Sequence, residues 1–303
     1  MRAVVGRRAL GPRPERYVPR VRTLTGKTAV LTGAAGGIGR ALAFALVEAG
    51  CVVALGDVDE AALSALADAL RSSGGSVSER VIDVRDRSQW ADWAAFVQAE
   101  HGGADLLFNN AGVTTWGLFD AQPEADIDWV MDVDVRGVMH GCRAFLPQLR
   151  AAPEAHIVNM SSMIALMGIP MQSTYTAAKW AVRGFTRALR VELSASRVGV
   201  TAVMPGAIAT PFLSNARSLD RGGTQLMTRL MLDHGTSPGR VAARVLRAVR
   251  RDQAELRVGW DSHLVAAVQA FLPGLLPRLF AFSFRRYTPD GTLGVEPTIE
   301  EPA

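Results

Sequence analysis

A glycine-rich turn between an apolar run and a helical segment constrains this chain more than any other feature. The run covers residues 28–31, the turn reads TGAAGGIG over residues 32–39, and a strong helix-forming segment follows. A strand, a glycine-rich turn and a helix together present backbone N–H groups and a helix N-terminus to a phosphate. Gly33, Gly37 and Gly39 would let the backbone approach a pyrophosphate with no Cβ in the way. The pattern therefore predicts a dinucleotide-binding site at the first strand.

An aspartate follows the second predicted strand, at residues 51–55, about twenty positions beyond the glycines. Asp57 lies where the hydroxyls of an adenosine ribose would be met, although it could equally cap the helix that begins near Asp59. Both roles are open for this pair of aspartates. The charge of Asp57 would repel a 2′-phosphate, and neither Gly36 nor Val58 supplies a basic side chain. NAD is therefore predicted in preference to NADP.

Strands and helices alternate along the rest of the chain. Four further strands are predicted at residues 77–82, 105–108, 156–160 and 198–203, and the longest helices at residues 127–150 and 173–195. This alternation implies an α/β fold with a parallel sheet covered on both faces. The predicted divisions are a basic disordered extension (1–24), one globular domain (25–260) and an apolar segment with a polar tail (261–303).

A serine, a tyrosine and a lysine form the candidate acid–base group. Ser162 lies thirteen residues before Tyr175, and Lys179 lies four residues after it. Residues four apart share one face of a helix, and an ammonium beside a phenol lowers the phenol pKa. Lys27 and Lys179 are the only lysines in a chain that otherwise uses arginine, and a compact ammonium suits close approach to a hydroxyl. The group predicts proton transfer to or from a substrate oxygen that the serine holds.

The net charge of +4 is unevenly distributed. Residues 1–22 carry a net charge of +6, so the remainder of the chain sums to −2. A near-neutral globular part argues against a nucleic-acid footprint spread over the fold, and nucleic-acid binding through the arginine tail stays as a rival hypothesis. Cys51 and Cys142 have neither paired nor metal-ligand spacing, so we expect buried thiols, no metal site and a cytoplasmic location.

The motifs occur in an order that resembles the short-chain dehydrogenase/reductase family of the single-domain type, over about residues 25–260. They are TGAAGGIG (32–39), Asp57, Asp83-Val84, NNAG (109–112), Ser162, YTAAK (175–179) and PGAIAT (205–210). The resemblance implies a Rossmann-like, doubly wound parallel sheet. It also implies an NAD(P)-dependent oxidoreductase that interconverts alcohols and ketones, assembled as a homodimer or homotetramer.

The resemblance implies a role for each matched residue. Tyr175 would be the acid/base, Lys179 its pKa modulator and a ribose ligand, and Ser162 the group that orients the substrate oxygen. The other implied cofactor-binding residues are Thr32, Gly33, Gly37, Ile38 and Gly39 at the pyrophosphate, Asp57 at the ribose, Asp83 and Val84 at the adenine, Asn110, Ala111 and Gly112 in the cleft, and Pro205, Gly206, Ile208 and Thr210 at the nicotinamide.

The chain departs from the family in its long central helix. The family has an asparagine in an Asn-x-x-Gly segment, within a proton relay to the lysine, and Asp134 occupies that place before Gly137. An ionised aspartate accepts hydrogen bonds but does not donate them, and it would add negative charge near Lys179. We expect activity to be retained with an altered pH profile, since a relay through the backbone carbonyl would be unchanged.

Apolar residues near the acid–base group leave two interpretations open: they line the pocket mouth, which favours a lipophilic alcohol or ketone, or they belong to the core. They are Trp116, Leu118, Phe119, Met163, Ile164, Leu166, Met167, Ile169, Pro170 and Met171. Residues 211–236 are expected to form a mobile lid over the substrate. The rival functions are a non-catalytic, dinucleotide-sensing regulator and a membrane-associated reductase of aldehydes or lipid carbonyls.

The segment 264–284 is apolar apart from Gln269, Arg278 and a few small residues. Its length would admit a membrane span, but Pro273, Gly274 and Pro277 argue against a straight one. A subunit contact or pocket cover is the preferred interpretation, ahead of a peripheral membrane anchor and then a spanning helix.

Overall fold

The structure, a computed structural model, describes residues 21–287 of the 303-residue chain. Most of the predicted basic extension and the polar tail from residue 288 onward lie outside the described residues. The sequence assigns residues 21–24 to the extension, but Val21 and Leu24 are 1% and 4% exposed and join the core. Burial of two large apolar side chains offsets the entropy lost by ordering this short segment.

Nine strands lie within the described residues, numbered in chain order. They are β1 (Thr28–Thr32), β2 (Val52–Asp57), β3 (Val77–Val81), β4 (Leu106–Asn109), β5 (Thr115–Trp116), β6 (Ala155–Met160), β7 (Val198–Pro205), β8 (Arg217–Ser218) and β9 (Glu255–Val258). Seven form one parallel sheet in the order β3-β2-β1-β4-β6-β7-β9, and β5 pairs with β8 separately. The six predicted strands are confirmed to within two residues at each end, and β9 is an edge strand that the sequence pattern missed.

The order of the sheet reverses at β1, which has β2 on one side and β4 on the other. The connections that leave β1 and β4 therefore diverge, and they open a crevice at the carboxyl ends of the strands. Ligands bind in such a crevice in doubly wound sheets. The glycine turn follows β1, and Asn110 follows β4, so both predicted motifs lie at this edge of the sheet.

Ten α-helices accompany the strands within the described residues. They are α1 (Gly37–Glu48), α2 (Glu60–Ser72), α3 (Arg87–His101), α4 (Glu124–Met131), α5 (Gly137–Ala151), α6 (Ser173–Glu192), α7 (Arg221–His234), α8 (Pro238–Arg250), α9 (Trp260–Phe271) and α10 (Leu275–Tyr287). The helix predicted over residues 127–150 is α4 and α5 joined by a π-helical turn, Asp132–Arg136. Single π turns inside helices are frequent at functional sites.

Two buried clusters cover the two faces of the sheet. On one face α1 and α8 contribute apolar side chains such as Leu46 and Val245. On the other, Trp90 and Trp93 of α3 pack with their rings 5.9–6.1 Å from that of Phe145 in α5. Both cysteines are buried free thiols, as predicted, and burial raises the pKa of Cys142 to about 12.

Helices α9 and α10 meet at an angle of 111° across a short break. No single helix between residues 21 and 287 combines the length and apolar composition needed to cross a membrane. Taken together, α9 and the first part of α10 meet that requirement by length and composition only.

Candidate active site

A cavity of about 720 Å³ follows the carboxyl edge of the sheet. Its volume is in the range of cavities that hold small molecules and cofactors. Most of the predicted site residues line it: Gly33, Gly37, Ile38, Asp57, Asp83, Val84, Asn110, Ala111, Gly112, Ser162, Tyr175, Lys179, Pro205, Gly206, Ile208 and Thr210. Thr32, Gly39 and Asp134 do not line the cavity, but each contacts a residue that does.

Hydrogen bonds fasten the glycine turn to the end of β4. Thr32 Oγ1 accepts from the backbone N–H groups of Asn110 (3.0 Å) and Ala111 (3.1 Å), and Asn110 Nδ2 donates to the carbonyls of Thr32 and Gly33 at 3.0 Å. Gly33 has a φ of +60°, and a Cβ there would lie 2.7 Å from Ala111 Cα. A Cβ at Gly39 would overlap the Gly33 carbonyl. The glycine turn and the segment after β4 therefore contact each other at positions that only glycine can occupy.

The N-terminus of α1 opens beside this turn. Gly36 is its N-cap residue, and no side chain caps the helix there. The first N–H groups of a helix lack partners within the helix and attract anions. On the other wall, a Cβ at Gly37 would lie 3.1 Å from Thr210 Cγ2, so the PGAIAT loop closes over the turn. The uncapped N–H groups and the narrow glycine cradle fit a dinucleotide pyrophosphate.

The two aspartates after β2 have separate tasks. Asp59 caps α2, since its side chain accepts from the N–H of Ala62 at 3.0 Å. Asp57 lines the cavity, and its carboxylate accepts from the N–H of Ala35 (2.9 Å) and of Asp59 (3.2 Å). The alternative that Asp57 caps the helix is therefore wrong, because Asp59 occupies that position.

Asp83 is paired with an arginine that the sequence reading overlooked. Arg85 donates to both carboxylate oxygens of Asp83, from Nε at 3.0 Å and from Nη2 at 2.6 Å. This bidentate contact holds the pKa of Asp83 below its ordinary value. Arg85 also lines the cavity. Its position two residues after Asp83 was the signal in the sequence that could have predicted this ion pair.

Tyr175 and Lys179 lie in the first turns of α6, with Ser162 opposite. Lys179 Nζ lies 5.4 Å from the centre of the Tyr175 ring. Burial raises the pKa of Tyr175 above its ordinary value, while the Lys179 charge and a hydrogen bond with Ser162 lower it and the Asp134 charge raises it. Lys179 thus acts in the predicted direction, but the burial of the phenol outweighs it.

Asp134 contacts Lys179 directly. The π turn presents its carboxylate so that Oδ2 lies 2.9 Å from Lys179 Nζ, while Oδ1 accepts from the N–H of Val113 at 2.7 Å. Lys179 Nζ also donates to the carbonyl of Met160 at 3.2 Å. Burial would lower the pKa of Lys179, but the Asp134 charge holds it above its ordinary value. Burial also raises the pKa of Asp134, so the pair retains its protons more strongly than isolated groups would.

The end of the cavity beside Tyr175 is lined by the segment predicted as a lid. Phe212, Asn215 and Met231 face the cavity, and the rings of Phe212 and Tyr175 lie 5.9 Å apart. None of the ten apolar residues proposed for the pocket mouth lines the cavity, and Ile164, Leu166 and Met167 are buried. The core interpretation is the better one for these three. The sequence pattern predicted this segment but did not identify these three residues. Their place at the cavity depends on tertiary structure, which includes the pairing of β5 with β8.

No group of three or more His, Cys, Asp or Glu side chains within residues 21–287 could hold a metal ion. The described site instead contains a hydroxyl, a phenol, an ammonium and a carboxylate next to a phosphate-binding turn. That set can hold a dinucleotide at one end and exchange a proton with an oxygen at the other.

Comparison with protein-family models finds a match over residues 27–220 to the family described as short chain dehydrogenase. The protein SadH of Mycobacterium tuberculosis (strain ATCC 25618 / H37Rv) is 38% identical over 271 residues, which cover 87% of this chain and 97% of SadH. Cyclopentanol dehydrogenase of Comamonas testosteroni is 32% identical over 222 residues, which cover 73% of this chain and 88% of that enzyme.

A similar fold is found among solved structures. A short chain dehydrogenase/reductase from Burkholderia phymatum, in complex with NAD, superposes with a TM-score of 0.75 at 28% identity. The match covers 92% of this chain and 98% of that one.

Proposed function

This chain belongs to the short-chain dehydrogenase/reductase family, and from that premise we propose that it is an NAD-dependent dehydrogenase of a lipophilic secondary alcohol. Family membership makes it an oxidoreductase that binds a nicotinamide dinucleotide and acts on alcohols or carbonyl compounds. The observation that carries the finer proposal is the position of Lys179, whose Nζ lies 5.4 Å from the centre of the Tyr175 ring and 2.9 Å from the Asp134 carboxylate, with Tyr175 and Lys179 both lining the cavity.

Proton transfer falls to Tyr175. In alcohol oxidation, Ser162 Oγ holds the substrate oxygen and Tyr175 Oη accepts the proton that the alcohol loses; in reduction Tyr175 returns it. Lys179 stabilises the phenolate by its charge, and Asp134 holds Lys179 in its charged form. When bound, the nicotinamide ring accepts or donates the hydride.

The other cavity residues would hold the cofactor. We assign the pyrophosphate to the turn from Thr32 to Gly39 and the N-terminus of α1, and the adenosine ribose to Asp57. Val84 and Asp83 would lie at the adenine, while Asn110, Ala111 and Gly112 would form the cleft wall. Pro205, Gly206, Ile208 and Thr210 would contact the nicotinamide. Tyr175 and Lys179 would also meet its ribose.

Two charges favour NAD over NADP. Asp57 would repel a 2′-phosphate, and Arg85 already has its charge neutralised by Asp83 at 2.6 Å. We expect kcat/KM to be at least about tenfold higher with NAD, a difference of about 1.4 kcal/mol. Steady-state rates with both cofactors at equal substrate concentration measure it. A preference for NADP would contradict the role given to Asp57.

The lining of the lid end favours an apolar substrate. Phe212 and Met231 present an aromatic ring and a flexible thioether, and each buried methylene of a substrate contributes about 0.8 kcal/mol. The likeness to cyclopentanol dehydrogenase supports an alcohol of this kind. We expect kcat/KM to rise along a series of secondary alcohols of increasing ring or chain size. A flat series would count against a lipophilic substrate.

Turnover separates this function from dinucleotide sensing. We expect Tyr175→Phe to abolish measurable NAD reduction while NADH still binds, as followed by the change in its fluorescence. Ser162→Ala is a second variant at the same site and should lower turnover as well. A wild-type protein that binds NADH but turns over no alcohol or ketone would favour the regulator instead.

Self-association is also proposed, because α5 and α6 expose the large apolar side chains Met139 and Trp180. We expect a homodimer or homotetramer. Light scattering on the wild type and on Trp180→Glu would measure the mass of the assembly and its dependence on this face.

A further inference from the structure

A second apolar surface lies at the C-terminal end of the described chain. We call it the C-terminal apolar face, and it consists of Trp260, Leu264, Phe271, Leu272, Leu275 and Leu279 on α9, α10 and the break between them. These side chains range from 37% exposed at Leu275 to 84% at Phe271. Six large, exposed apolar side chains within one segment make it a candidate interaction surface. No side chain of this segment lines the cavity, so the expectation of a pocket cover is wrong for its described residues.

The charge of this segment has one sign. From Ser262 to Pro289 the sequence contains no aspartate or glutamate, and it contains Arg278, Arg285 and Arg286. Arg285 is exposed. An apolar face accompanied by arginines and free of acidic residues is the composition of helices that lie in the interface of an anionic membrane. The 111° bend and the proline-containing break suit a segment that lies on a surface.

The base of α9 is joined to the active site. Asp261 Oδ2 accepts from the N–H of Ala207 at 2.6 Å, and Ser262 Oγ donates to the carbonyl of Met204 at 2.9 Å. The Met204 carbonyl belongs to β7, and the Ala207 N–H belongs to the loop after it. The lid ends nearby, since a Cβ at Gly259 would lie 3.4 Å from Thr236 Oγ1. The C-terminal apolar face therefore begins at the same end of the molecule as the lid.

The lid helix α7 continues this apolar character. Leu226, Leu230 and Leu232 on α7 are between 44% and 59% exposed. Phe212 and Met231, which line the substrate end of the cavity, come from the same lid segment. Exposed apolar side chains are therefore present both on the C-terminal helices and on the lid helix.

We propose that the C-terminal apolar face binds the surface of a bilayer that contains anionic lipids, with α9 and α10 lying in its interface. The side chains enter the apolar boundary of the headgroup region, and the arginines meet the lipid phosphates. This geometry turns the lid end of the cavity toward the membrane, where an apolar alcohol or ketone is concentrated.

A second copy of the chain fits this face less well. A symmetric dimer places the same patch on both sides of its interface, so the arginines of one α10 would face those of the other with no acidic residue in the segment to pair with them. An anionic surface supplies the opposite charge. The exposed side chains on α5 and α6 give self-association a separate face.

Vesicle flotation of the full-length protein tests this inference. Phosphatidylcholine vesicles with and without phosphatidylglycerol are the probes, each at low and high salt. We expect the wild type to float with the mixed vesicles at low salt and to be partly released by high salt. The double variant Phe271→Glu/Leu275→Glu should bind at least about tenfold more weakly, since each large apolar side chain contributes more than that factor when buried. Arg278→Gln/Arg285→Gln should lose about tenfold only on the anionic vesicles.

The matched control is Val81→Glu. Val81 is 47% exposed on β3, the edge strand at the far side of the sheet from β9, and its variant should float like the wild type. NAD-dependent turnover of a water-soluble alcohol, measured on all variants, should be unchanged in the two C-terminal variants, which separates failure of membrane binding from failure of the enzyme. Absence of wild-type flotation overturns the proposal. If Phe271→Glu/Leu275→Glu lowers the mass measured by light scattering, a second copy covers the face, and this result also overturns the proposal.

Discussion

Two of the cations on helix α6, Lys179 and Arg190, lie about three turns apart, and each of these two is paired with a buried aspartate. The Arg190 pair is fully engaged: its guanidinium donates to both oxygens of Asp252 at 2.8 Å, to the backbone carbonyl of Asp252 at 2.9 Å and to that of Val200 at 2.8 Å. The Lys179 pair is sparser. Its ammonium forms an ion pair with Asp134 Oδ2 at 2.9 Å and donates to the carbonyl of Met160, so an N–H donor remains for the cavity that Lys179 lines.

The difference separates a structural ion pair from a functional one. A planar guanidinium that meets a carboxylate and two carbonyls has its donors fixed in one geometry, and it joins α6 to the segment before β9. A compact ammonium with a donor in reserve can act on a neighbouring hydroxyl. Burial alone does not distinguish the two pairs, since the side chains of Asp134 and Asp252 are 0% and 5% exposed.

Removing the cation from the structural pair should have the largest effect. Arg190→Ala leaves the Asp252 carboxylate buried without its partner, and this type of change costs about 3–5 kcal/mol of unfolding free energy. Urea denaturation measures it. Arg187→Ala on the same helix, where the side chain is 67% exposed, is the matched control and should cost less than about 1 kcal/mol. A similar loss for both variants would remove the distinction between buried and exposed pairs.

Removing the cation from the functional pair should act on activity first. Lys179→Met should lower kcat/KM by about a hundredfold or more, in line with the usual contribution of an acid–base group. Without Lys179, the Asp134 carboxylate would take up a proton and become neutral, because burial already raises the pKa of Asp134. Steady-state kinetics and urea denaturation on the same sample separate the two effects. Unchanged turnover would contradict the role of Lys179.

A buried histidine, His156, lies beside the structural pair, with its Nδ1 4.0 Å from Asp252 Oδ1. It should make the fold less stable in acid. His156 Nε2 contacts Thr201 Oγ1 at 2.7 Å, and burial and the Arg190 charge lower the pKa of His156 to about 3. The unfolded chain takes up a proton near pH 6.5 and the folded chain does not, so stability falls as the pH drops from 6.5 toward 3. Between pH 7 and pH 5 this group should cost about 2 kcal/mol.

The measurement is the urea midpoint at both pH values for the wild type and His156→Gln. The variant should lose less stability over this interval, because glutamine does not titrate. Equal losses in the two proteins would mean that other groups cause the acid sensitivity.

Neutralising the functional aspartate should have the smallest effect. Asp134 raises the pKa of Tyr175, so Asp134→Asn should lower it and shift the acid limb of the pH–rate curve for alcohol oxidation to lower pH, by about one unit. The amide keeps the shape of the side chain, and its oxygen can accept the Val113 N–H. Superimposable pH–rate curves would show that the charge of Asp134 has no influence on the tyrosine.

Local patterns predicted most of the residues that the structure brings to one cavity, and non-local contacts account for the features they missed. The glycine turn and the Tyr175–Lys179 spacing are set by residues close together in the chain. Arg190 and Asp252 are 62 residues apart, and Phe212 covers the cavity through the fold of the lid, so neither shows a pattern in the sequence. The dominant effect of burial on the Tyr175 pKa also needed the packed environment, because spacing reports which charges are near but not how much water is excluded.

The hydrogen bond from Ala207 to Asp261 gives the C-terminal helices a thermodynamic link to the loop assigned to the nicotinamide. If adsorption of α9 shifts that loop toward one conformation, it changes the affinity for the cofactor. The cofactor must then change the affinity for the bilayer by the same factor, since coupling between two binding events is reciprocal. Vesicle binding measured with and without NAD therefore reports on the active site from a distance, with no reaction taking place.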